Sequence, residues 1–267
     1  MIFANKELAR RLERAEGYAC MQFAAARKKV HPECGSAWMR CGGADVVFDG
    51  VDAPTTQTFG LGVFEEVTAE ILEEIEGFFQ ERGTATMHEM CPLAGTAALD
   101  LLCARGYRPL EVSNVLFRPV ENPATTGREG IRVRVVGADE AEAWSRVSAR
   151  GWTHEHPELT DFMEQMGALM VARAQSPCFL AEADGVAGAA GGLVVYEGVA
   201  LFAGAATVPE MRRRGMQAAL LEERMRYAHA KGCDLAMMVT EAGSESQRNA
   251  ERQGFRVAYT RMKWKRD

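Results

Sequence analysis

Long apolar runs are missing from this sequence of 267 residues. No uncharged apolar stretch approaches the about 18 residues that a membrane-spanning helix needs. The chain starts with MIFANKELARRLERAEG, which has the pattern of an amphipathic charged helix and lacks the apolar core of a secretion signal. Apolar residues make up 47% and charged residues 25% of the chain, close to the averages of folded globular proteins. We therefore expect a folded cytoplasmic protein without a membrane partner.

Cysteine pairs with metal-binding or redox spacing are also missing. The seven cysteines include no C-x-x-C pair, and their odd number argues against a disulfide framework. We expect most of them to be small, buried apolar residues. The sequence predicts no metal site.

The chain also lacks a basic domain. Residues 131–267 hold 18 lysines and arginines against 18 acidic residues, whereas residues 1–130 hold 13 against 19. The net charge of −6 therefore comes wholly from the first half of the chain. Proteins that bind nucleic acid non-specifically usually have a basic domain, so we expect no nucleic-acid partner.

One segment has the composition of a linker between domains. Residues 121–130 read ENPATTGREG, with a proline and two glycines among small polar residues. A chain of 267 residues exceeds a typical domain of about 100 to 200 residues, so two domains are expected. We predict a first domain over residues 1–120 and a second over residues 131–267.

Both predicted domains share an order of elements. The second reads as a strand, two helices, three strands, a helix, a strand, a short helix and a last strand, and the first repeats the later part of this order. Gly83 and Gly232, 149 residues apart, end corresponding helices. Gly106 and Gly254, 148 residues apart, precede corresponding strands. This near-constant offset favours a duplication, and chance agreement is the alternative.

Three consecutive arginines stand between a predicted strand and a predicted helix. Residues 208–217 read VPEMRRRGMQ. Unpaired backbone N–H groups at a helix N-terminus attract anions, phosphate above all. Gly215 lets the backbone approach a bulky ligand, and Arg212, Arg213 and Arg214 can form paired hydrogen bonds with phosphate oxygens. The pattern favours a diphosphate site, and a solvated basic turn without a ligand is the alternative.

The two common nucleotide-binding loops do not occur. Both the Walker pattern G-x-x-x-x-G-K-[ST] and the Rossmann pattern G-x-G-x-x-G are absent. Residues 208–221 instead read V-P-E-M-R-R-R-G-M-Q-A-A-L-L, which resembles motif A of the GCN5-related N-acetyltransferases, with the core R-x-x-G-x-G/A. Arg212 and Gly215 fill the first two fixed positions, and Gln217 departs from the third. Residues 246–255 fit S-x-x-N-x-x-x-x-G-F, which looks like the second cofactor element of that family.

The resemblance covers about residues 131–267 and implies a fold and a cofactor. The implied fold is α/β, with two acetyltransferase-like domains that each contain a mixed, largely antiparallel sheet flanked by helices. The implied co-substrate is acetyl-CoA, with its pyrophosphate on main-chain N–H groups of the arginine loop and its pantetheine arm along the preceding strand. The implied cofactor-binding residues are Ala206, Thr207, Val208, Arg212, Arg213, Arg214, Gly215, Met216, Gln217, Ala218, Asn249 and Phe255.

The resemblance also implies direct attack of a primary amine on the thioester. The oxyanion would be bound by a backbone N–H near Val208. Many family members carry a tyrosine where this chain has Ala250, so Tyr259 is the substitute candidate for the acid that protonates the thiolate. An aromatic residue on a strand is more often a packing residue, which is the alternative for Tyr259.

Candidate bases lie in the segment GWTHEHPE between the first two helices of the second domain. They are His154, Glu155 and His156, because the family usually contacts its substrate there and histidine titrates near the required pH. A purely structural role is the alternative. Alternating histidines would also suit a metal, but two ligands are too few to predict one. Glu182 is a further candidate base.

The first domain lacks the features of the arginine loop. At the corresponding junction it reads GLGVFEEVTAE, where Glu65 and Glu66 would repel a pyrophosphate. We interpret it as a degenerate acetyltransferase-like domain without cofactor. The whole chain is then predicted to acetylate a primary amine of a small molecule or peptide, as a monomer or homodimer. A non-catalytic acyl-CoA-binding or sensor module is the alternative, and a nucleic-acid adaptor using the arginine loop and the basic end RMKWKR is a weaker one.

Overall fold

The computed structural model describes residues 2–51, 53–121, 128–154, 157–173 and 176–267. The chain forms two compact units. Unit 1 consists of residues 1–118 and 237–267, and unit 2 consists of residues 119–236. The boundary near residue 119 lies close to the linker that the sequence suggests, of which residues 122–127 are outside the described residues.

Helices and strands alternate in the order of a mixed α/β fold. Along the chain they are α1 (Lys6–Val30), β1 (Ala37–Cys41), β2 (Ala44–Phe48), β3 (Gln57–Phe59), α2 (Ala69–Gln80), β4 (Thr86–Met90), α3 (Thr96–Ala104), β5 (Arg108–Pro119), β6 (Ile131–Val135), α4 (Ala141–Trp152), α5 (Thr160–Ala172), β7 (Cys178–Ala183), β8 (Val186–Tyr196), β9 (Val199–Thr207), α6 (Met216–Ala230), β10 (Leu235–Glu241), α7 (Glu245–Arg252) and β11 (Arg256–Arg266). Most strand pairs are antiparallel, and β3 pairs with β4 in parallel. This confirms the expected fold class.

Helix α1 of unit 1 follows directly from its sequence. The Asn5 side chain accepts a hydrogen bond from the Leu8 N–H at 3.0 Å and so caps the first turn. Leu8, Leu12, Ala15 and Ala19 recur at helical spacing and are all buried. Three basic residues in the last turn complement the negative end of the helix dipole.

The hairpin of β1 and β2 is an element that sequence analysis did not identify. Cys41 pairs with Ala44, which leaves a two-residue turn of Gly42 and Gly43. Both glycines have positive φ, 54° and 72°. A two-residue hairpin turn of this kind needs positive φ at both positions, which glycine adopts without strain.

The C-terminal strand β11 belongs to the sheet of unit 1. It pairs antiparallel with β4 through Met262 and Met90, and with β5 through Thr260 and Asn114. The prediction that residues 237–267 are packed with the second domain is therefore corrected. These residues provide a strand between β4 and β5, and backbone hydrogen bonds on both edges of β11 hold them in unit 1.

In unit 2, strands β6 to β9 form consecutive antiparallel pairs, with α4 packed on β9. Trp144 of α4 is fully buried and donates its indole N–H to the carbonyl oxygen of Phe179 at 2.9 Å. At the end of α4, a Cβ on Gly151 would lie only 2.6 Å from the Cβ of Ala206. Glycine at this position therefore lets α4 approach the end of β9 closely.

The two halves of the chain repeat one order of elements. Strand, helix, strand, helix and strand follow one another from β3 to β5 and again from β9 to β11. Gly83 and Gly232 follow the long helices α2 and α6 with φ of 65° and 75°, and Gly106 and Gly254 both have φ of 83°. These equivalent conformations at equivalent positions support the duplication that the sequence spacing favours.

Most cysteines are buried, as the sequence suggests. Their thiols are all free, and Cys103 is the exposed one among them. No group of three or more metal-ligating side chains occurs among the described residues. None of the described helices combines the length and apolarity needed to cross a membrane.

Candidate cofactor site

The arginine loop joins the end of β9 to the start of α6. A single 3-10 turn over Pro209–Met211 leads into Arg213 and Gly215, which both adopt left-handed backbone conformations with φ of 63° and 84°. Gly215 is the N-cap of α6, and no side chain caps this helix. The N–H groups of Met216, Gln217 and Ala218 have no partner among the described residues. They form an open anion-binding N-terminus of the kind that phosphate groups occupy.

The corresponding helix in unit 1 has a closed N-terminus. Thr68 is the N-cap of α2, and its hydroxyl accepts a hydrogen bond from the Ile71 N–H at 3.3 Å. The carboxylates of Glu65 and Glu66 precede it. The two strand-to-helix junctions therefore differ in the feature that attracts an anion.

The three arginines of the loop have different partners. Arg212 donates to the carbonyl oxygens of Thr207 and Gly151 at 3.4 and 3.3 Å. Arg214 pairs with the Asp184 carboxylate at 3.1 Å. Arg213 is exposed and has no hydrogen bond or ion pair within the described part of the chain. Two of the three guanidinium groups are thus held by protein groups, and only Arg213 is without one.

Gln217, the departure from the family pattern, links β9 to α6. Its side-chain amide donates to the hydroxyl of Thr207 at 2.8 Å. Thr207 is buried at the end of β9, and Gln217 lies in the first turn of α6. The hydrogen bond fixes the two ends of the arginine loop relative to each other, a task that a small residue could not perform.

The expected oxyanion donor near Val208 has a partner already. The Val208 N–H donates to the carbonyl oxygen of Gly188 at 3.0 Å, so this N–H is engaged within the protein, and the expected donor near Val208 stays a prediction. Three to four positions earlier on the strand, at Gly204 and Ala205, pairing is irregular: Ala190 faces Ala206, but Gly192 faces Ala203. Two residues of β9, one of them Gly204 with φ of 61°, therefore stand opposite a single residue of β8 as a β-bulge.

His154 is the one candidate base of its segment that the structure describes. It is exposed beyond the end of α4, and two guanidinium nitrogens of Arg212 lie 3.1 Å from its Nε2 and 3.0 Å from its Nδ1. A neutral imidazole has a single acceptor nitrogen, so only one of these contacts is a hydrogen bond. Glu155 and His156 lie outside the described residues. Glu182 is ion-paired with Arg134 at 2.9 Å.

Asn249, Phe255 and Tyr259 lie in unit 1, whereas the other described candidates lie in unit 2. Asn249 is exposed on α7, and Phe255 is buried. Tyr259 is also buried, and its hydroxyl donates to Glu13 Oε1 at 2.7 Å. Burial raises the pKa of Tyr259 well above its ordinary value. Because a phenol carries a single hydrogen, this hydroxyl has none left to donate elsewhere.

A buried ionic cluster surrounds Tyr259. Glu13 also accepts a hydrogen bond from the Gly60 N–H at 3.1 Å, and Arg261 lies 3.4 Å from its carboxylate. Arg261 is buried and pairs in addition with Glu16 at 2.6 Å and with Glu89 at 3.0 Å. Sequence analysis missed this cluster, because an acidic residue inside an amphipathic helix looks like a solvated one.

A family comparison covers the part of the chain that holds the arginine loop. Residues 139–255 match the model of the acetyltransferase (GNAT) family. The match spans less than half of the chain. GNAT proteins are acyltransferases, so the chain carries an acyltransferase domain that includes β9, the arginine loop and α6. Comparison with curated protein sequences gives no match.

Solved structures with the same fold extend the similarity over nearly the whole chain. A GCN5-related N-acetyltransferase from Kribbella flavida has a TM-score of 0.64 at 17% identity, covering 91% of this chain and 93% of that chain. A tandem GNAT protein from the clavulanic acid biosynthesis pathway has a TM-score of 0.58 at 12% identity, covering 99% and 96%. A functionally unknown protein from Staphylococcus epidermidis has a TM-score of 0.61 at 7% identity, covering 90% and 96%. At these identities the likeness shows the fold alone.

Proposed function

We propose that this protein is an acetyl-CoA-dependent N-acetyltransferase that moves an acetyl group to a primary amine of a small molecule or peptide. The observation that carries the proposal is the open N-terminus of α6 beside Gly215, within the segment that matches the GNAT family model. Three amides without partners and a left-handed glycine form a cradle that fits a pyrophosphate.

The proposed cofactor residues fall into two groups. In unit 2, the amides from Arg213 to Ala218 bind the pyrophosphate, and the end of β9 from Ala206 to Val208 borders the pantetheine arm. In unit 1, Asn249 and Phe255 are proposed contacts because they fill positions of the second family motif. We further propose one acetyl-CoA per chain, with the degenerate first half binding none.

The proposed reaction is direct transfer in a ternary complex. Acetyl-CoA supplies the acetyl group as a thioester, the amine nitrogen forms the new C–N bond, and the C–S bond breaks. The amine loses a proton to a base, for which His154, Glu155 and His156 are the candidates, and the thiolate gains one from an acid, for which Tyr259 is the candidate. The β-bulge of β9 at Gly204 replaces Val208 as the proposed source of oxyanion N–H groups, because bulges redirect backbone groups near active sites.

A specific observation favours a second candidate, an acyl-CoA-binding or sensor module without transfer. Two groups considered for transfer are already engaged: the Tyr259 hydroxyl, the candidate acid, with Glu13, and the Val208 N–H, beside the expected oxyanion donor, with Gly188. A protein that binds acetyl-CoA without transferring its acetyl group needs neither of them.

The experiment measures binding and transfer separately. Calorimetry gives the affinity for acetyl-CoA, and release of free thiol is followed with a panel of primary amines, including polyamines, amino acids and peptide N-termini. Binding with amine-dependent thiol release supports the transferase. Binding without release for any amine supports the sensor, and absence of binding contradicts both.

For the cellular setting we propose the cytoplasm, a monomer or homodimer, and no nucleic-acid or membrane partner. Charge supports the absence of a nucleic-acid partner, since acidic residues outnumber basic ones in the chain. Gel filtration and a salt-dependent binding assay with DNA and RNA test these points.

A further inference from the structure

Arg128, which precedes β6, is a candidate phosphate ligand that no motif contains. We propose that Arg128 binds the pyrophosphate of the cofactor together with Arg213, in the role that the sequence pattern assigns to Arg212. The inference rests on the proposed function, since it concerns the same cofactor site. If the inference is correct, part of the binding energy for the cofactor comes from Arg128, in the segment that connects the predicted domains.

The position of Arg128 is fixed by contacts within unit 2. Its carbonyl oxygen accepts a hydrogen bond from the Ile131 N–H at 3.0 Å, which closes a turn just before β6. Its side chain crosses the N-cap of α6: a Cβ on Gly215 would lie 3.4 Å from its Nη1 and 3.5 Å from its Cδ. Its other terminal nitrogen, Nη2, lies 3.2 Å from Glu222 Oε1, on the same helix.

Existing contacts distinguish Arg128 from Arg212. Arg212 would have to leave the Thr207 and Gly151 carbonyls to reach a phosphate, whereas Arg214, like Arg128, has an exposed ion pair, with Asp184. Arg128 has one exposed ion pair, with side chains 44% and 30% exposed for Arg128 and Glu222. Exposed ion pairs contribute little, so exchanging Glu222 for a doubly charged pyrophosphate is favourable.

The position of Arg128 at the N-terminus of α6 indicates which phosphate of the cofactor it contacts. Its guanidinium lies against Gly215, at the end where the amides of Met216 to Ala218 are open. A single phosphate group bound by these amides is therefore within reach of the guanidinium as well. The pyrophosphate is common to CoA and dephospho-CoA, whereas the 3′-phosphate occurs only in CoA. Loss of Arg128 should consequently affect both ligands alike.

The test compares variants by calorimetry with CoA and with dephospho-CoA. Arg128→Ala should weaken both ligands by about tenfold or more, in line with loss of a charge-assisted hydrogen bond. Arg128→Lys should recover part of the affinity, because it keeps the charge. Glu222→Gln removes the partner of Arg128 but keeps the guanidinium, so it should retain full affinity. Arg146→Ala, which breaks an exposed ion pair on α4, is the matched control and should change nothing.

Each outcome below contradicts either the role of Arg128 or the proposed function. Unchanged affinity in Arg128→Ala overturns the inference while the proposed function stands. Equal losses in Arg128→Ala and Glu222→Gln overturn it too, because they show that the ion pair merely holds the segment against α6. A loss confined to CoA assigns Arg128 to the 3′-phosphate and overturns the pyrophosphate assignment. A wild-type chain that does not bind CoA overturns the proposed function, and the inference with it.

Discussion

Replacing Glu13 by glutamine is expected to change how the stability of the protein depends on pH. Glu13 is 1% exposed, and its carboxylate accepts hydrogen bonds from the Tyr259 hydroxyl and the Gly60 N–H. Burial raises the pKa of Glu13 to about 7, and the opposing attraction of Arg261 does not cancel this effect. Glu16 and Glu89 also pair with Arg261, so three carboxylates share this cation, and Lys263 lies 3.5 Å from Glu89 as a second one. In the unfolded chain the same group titrates near about 4.3.

The direction of the effect follows from these two values. Between about pH 4.3 and about pH 7 the folded protein keeps a proton on Glu13 that the unfolded chain has lost. The contribution of Glu13 to the free energy of unfolding is therefore complete below about pH 4.3, and it is lost as the pH rises through about 7. At about 1.4 kcal/mol per pH unit over about 2.7 units, the whole loss is about 4 kcal/mol, of which about 3 kcal/mol falls between about pH 4.5 and about pH 8, because Glu13 of the unfolded chain is already partly ionised at the lower pH. The glutamine amide does not titrate, so Glu13→Gln should become more stable relative to wild type by about 3 kcal/mol from about pH 4.5 to about pH 8.

Urea denaturation of both proteins at a series of pH values measures this difference. Glu76→Gln is the matched control. Burial tends to raise the pKa of Glu76, but hydrogen bonds from Arg105, Arg266 and Tyr107 outweigh it and lower the pKa to about 2. Its contribution is complete above about pH 4.3 and is lost only as the pH falls toward about 2, so Glu76→Gln should differ from wild type by a constant amount over the same range. A difference between Glu13→Gln and wild type that does not vary with pH would refute the reasoning.

The cofactor site and the buried tyrosine give three further predictions. Gly215→Glu should abolish CoA binding in calorimetry with an unchanged circular dichroism spectrum, because it places a side chain and a negative charge at a left-handed N-cap; retained affinity would contradict the site. Tyr259→Phe should lower kcat by about 100-fold, because it removes the proposed acid, and should lower the free energy of unfolding by about 1 to 3 kcal/mol, because it removes a donor to buried Glu13. A loss of stability with kcat changed less than about threefold would contradict the role of Tyr259 as the acid. Titration at saturating CoA should give one site per chain, lost in Gly215→Glu, and two equivalent sites would disprove the degenerate first half.

Local elements were predictable because they depend on local patterns. The apolar stripe of α1 and the glycines after α2 and α6 mark helices whatever their surroundings. The hairpin of β1 and β2 carried a comparable signal in Gly42 and Gly43, which sequence analysis did not use. Alternating residues in FRVAYTRMKW predict a strand, but they do not show which strands it pairs with. The assignment of β11 to the second domain failed for that reason.

The backbone conformation of the candidate site was predictable from the sequence, but the contacts of its side chains were not. Glycine at position 215 indicated the left-handed turn and the open helix end, since few other residues adopt that conformation. The partners of Arg212 and Arg214 come from α4 and from the turn after β7, far away in sequence, so no motif shows that these arginines are engaged. Arg128 lies outside every motif, and only the folded chain brings it to Gly215.

The two strand-to-helix junctions show how one fold can carry a site in one copy and none in the other. After β9, the helix begins at a glycine without a side-chain cap, and the nearby Arg213 has no partner among the described residues. After β3, Thr68 caps the helix, and the first N–H beyond the strand, on Gly60, already donates to the carboxylate of Glu13. An anion that binds at the junction after β3 would have to displace a buried carboxylate and compete with a hydroxyl cap. An exposed helix dipole contributes only about 0.3 to 1 kcal/mol toward that exchange. In unit 1 the chain therefore provides its own anion, and this is the physical ground for expecting a single cofactor per chain.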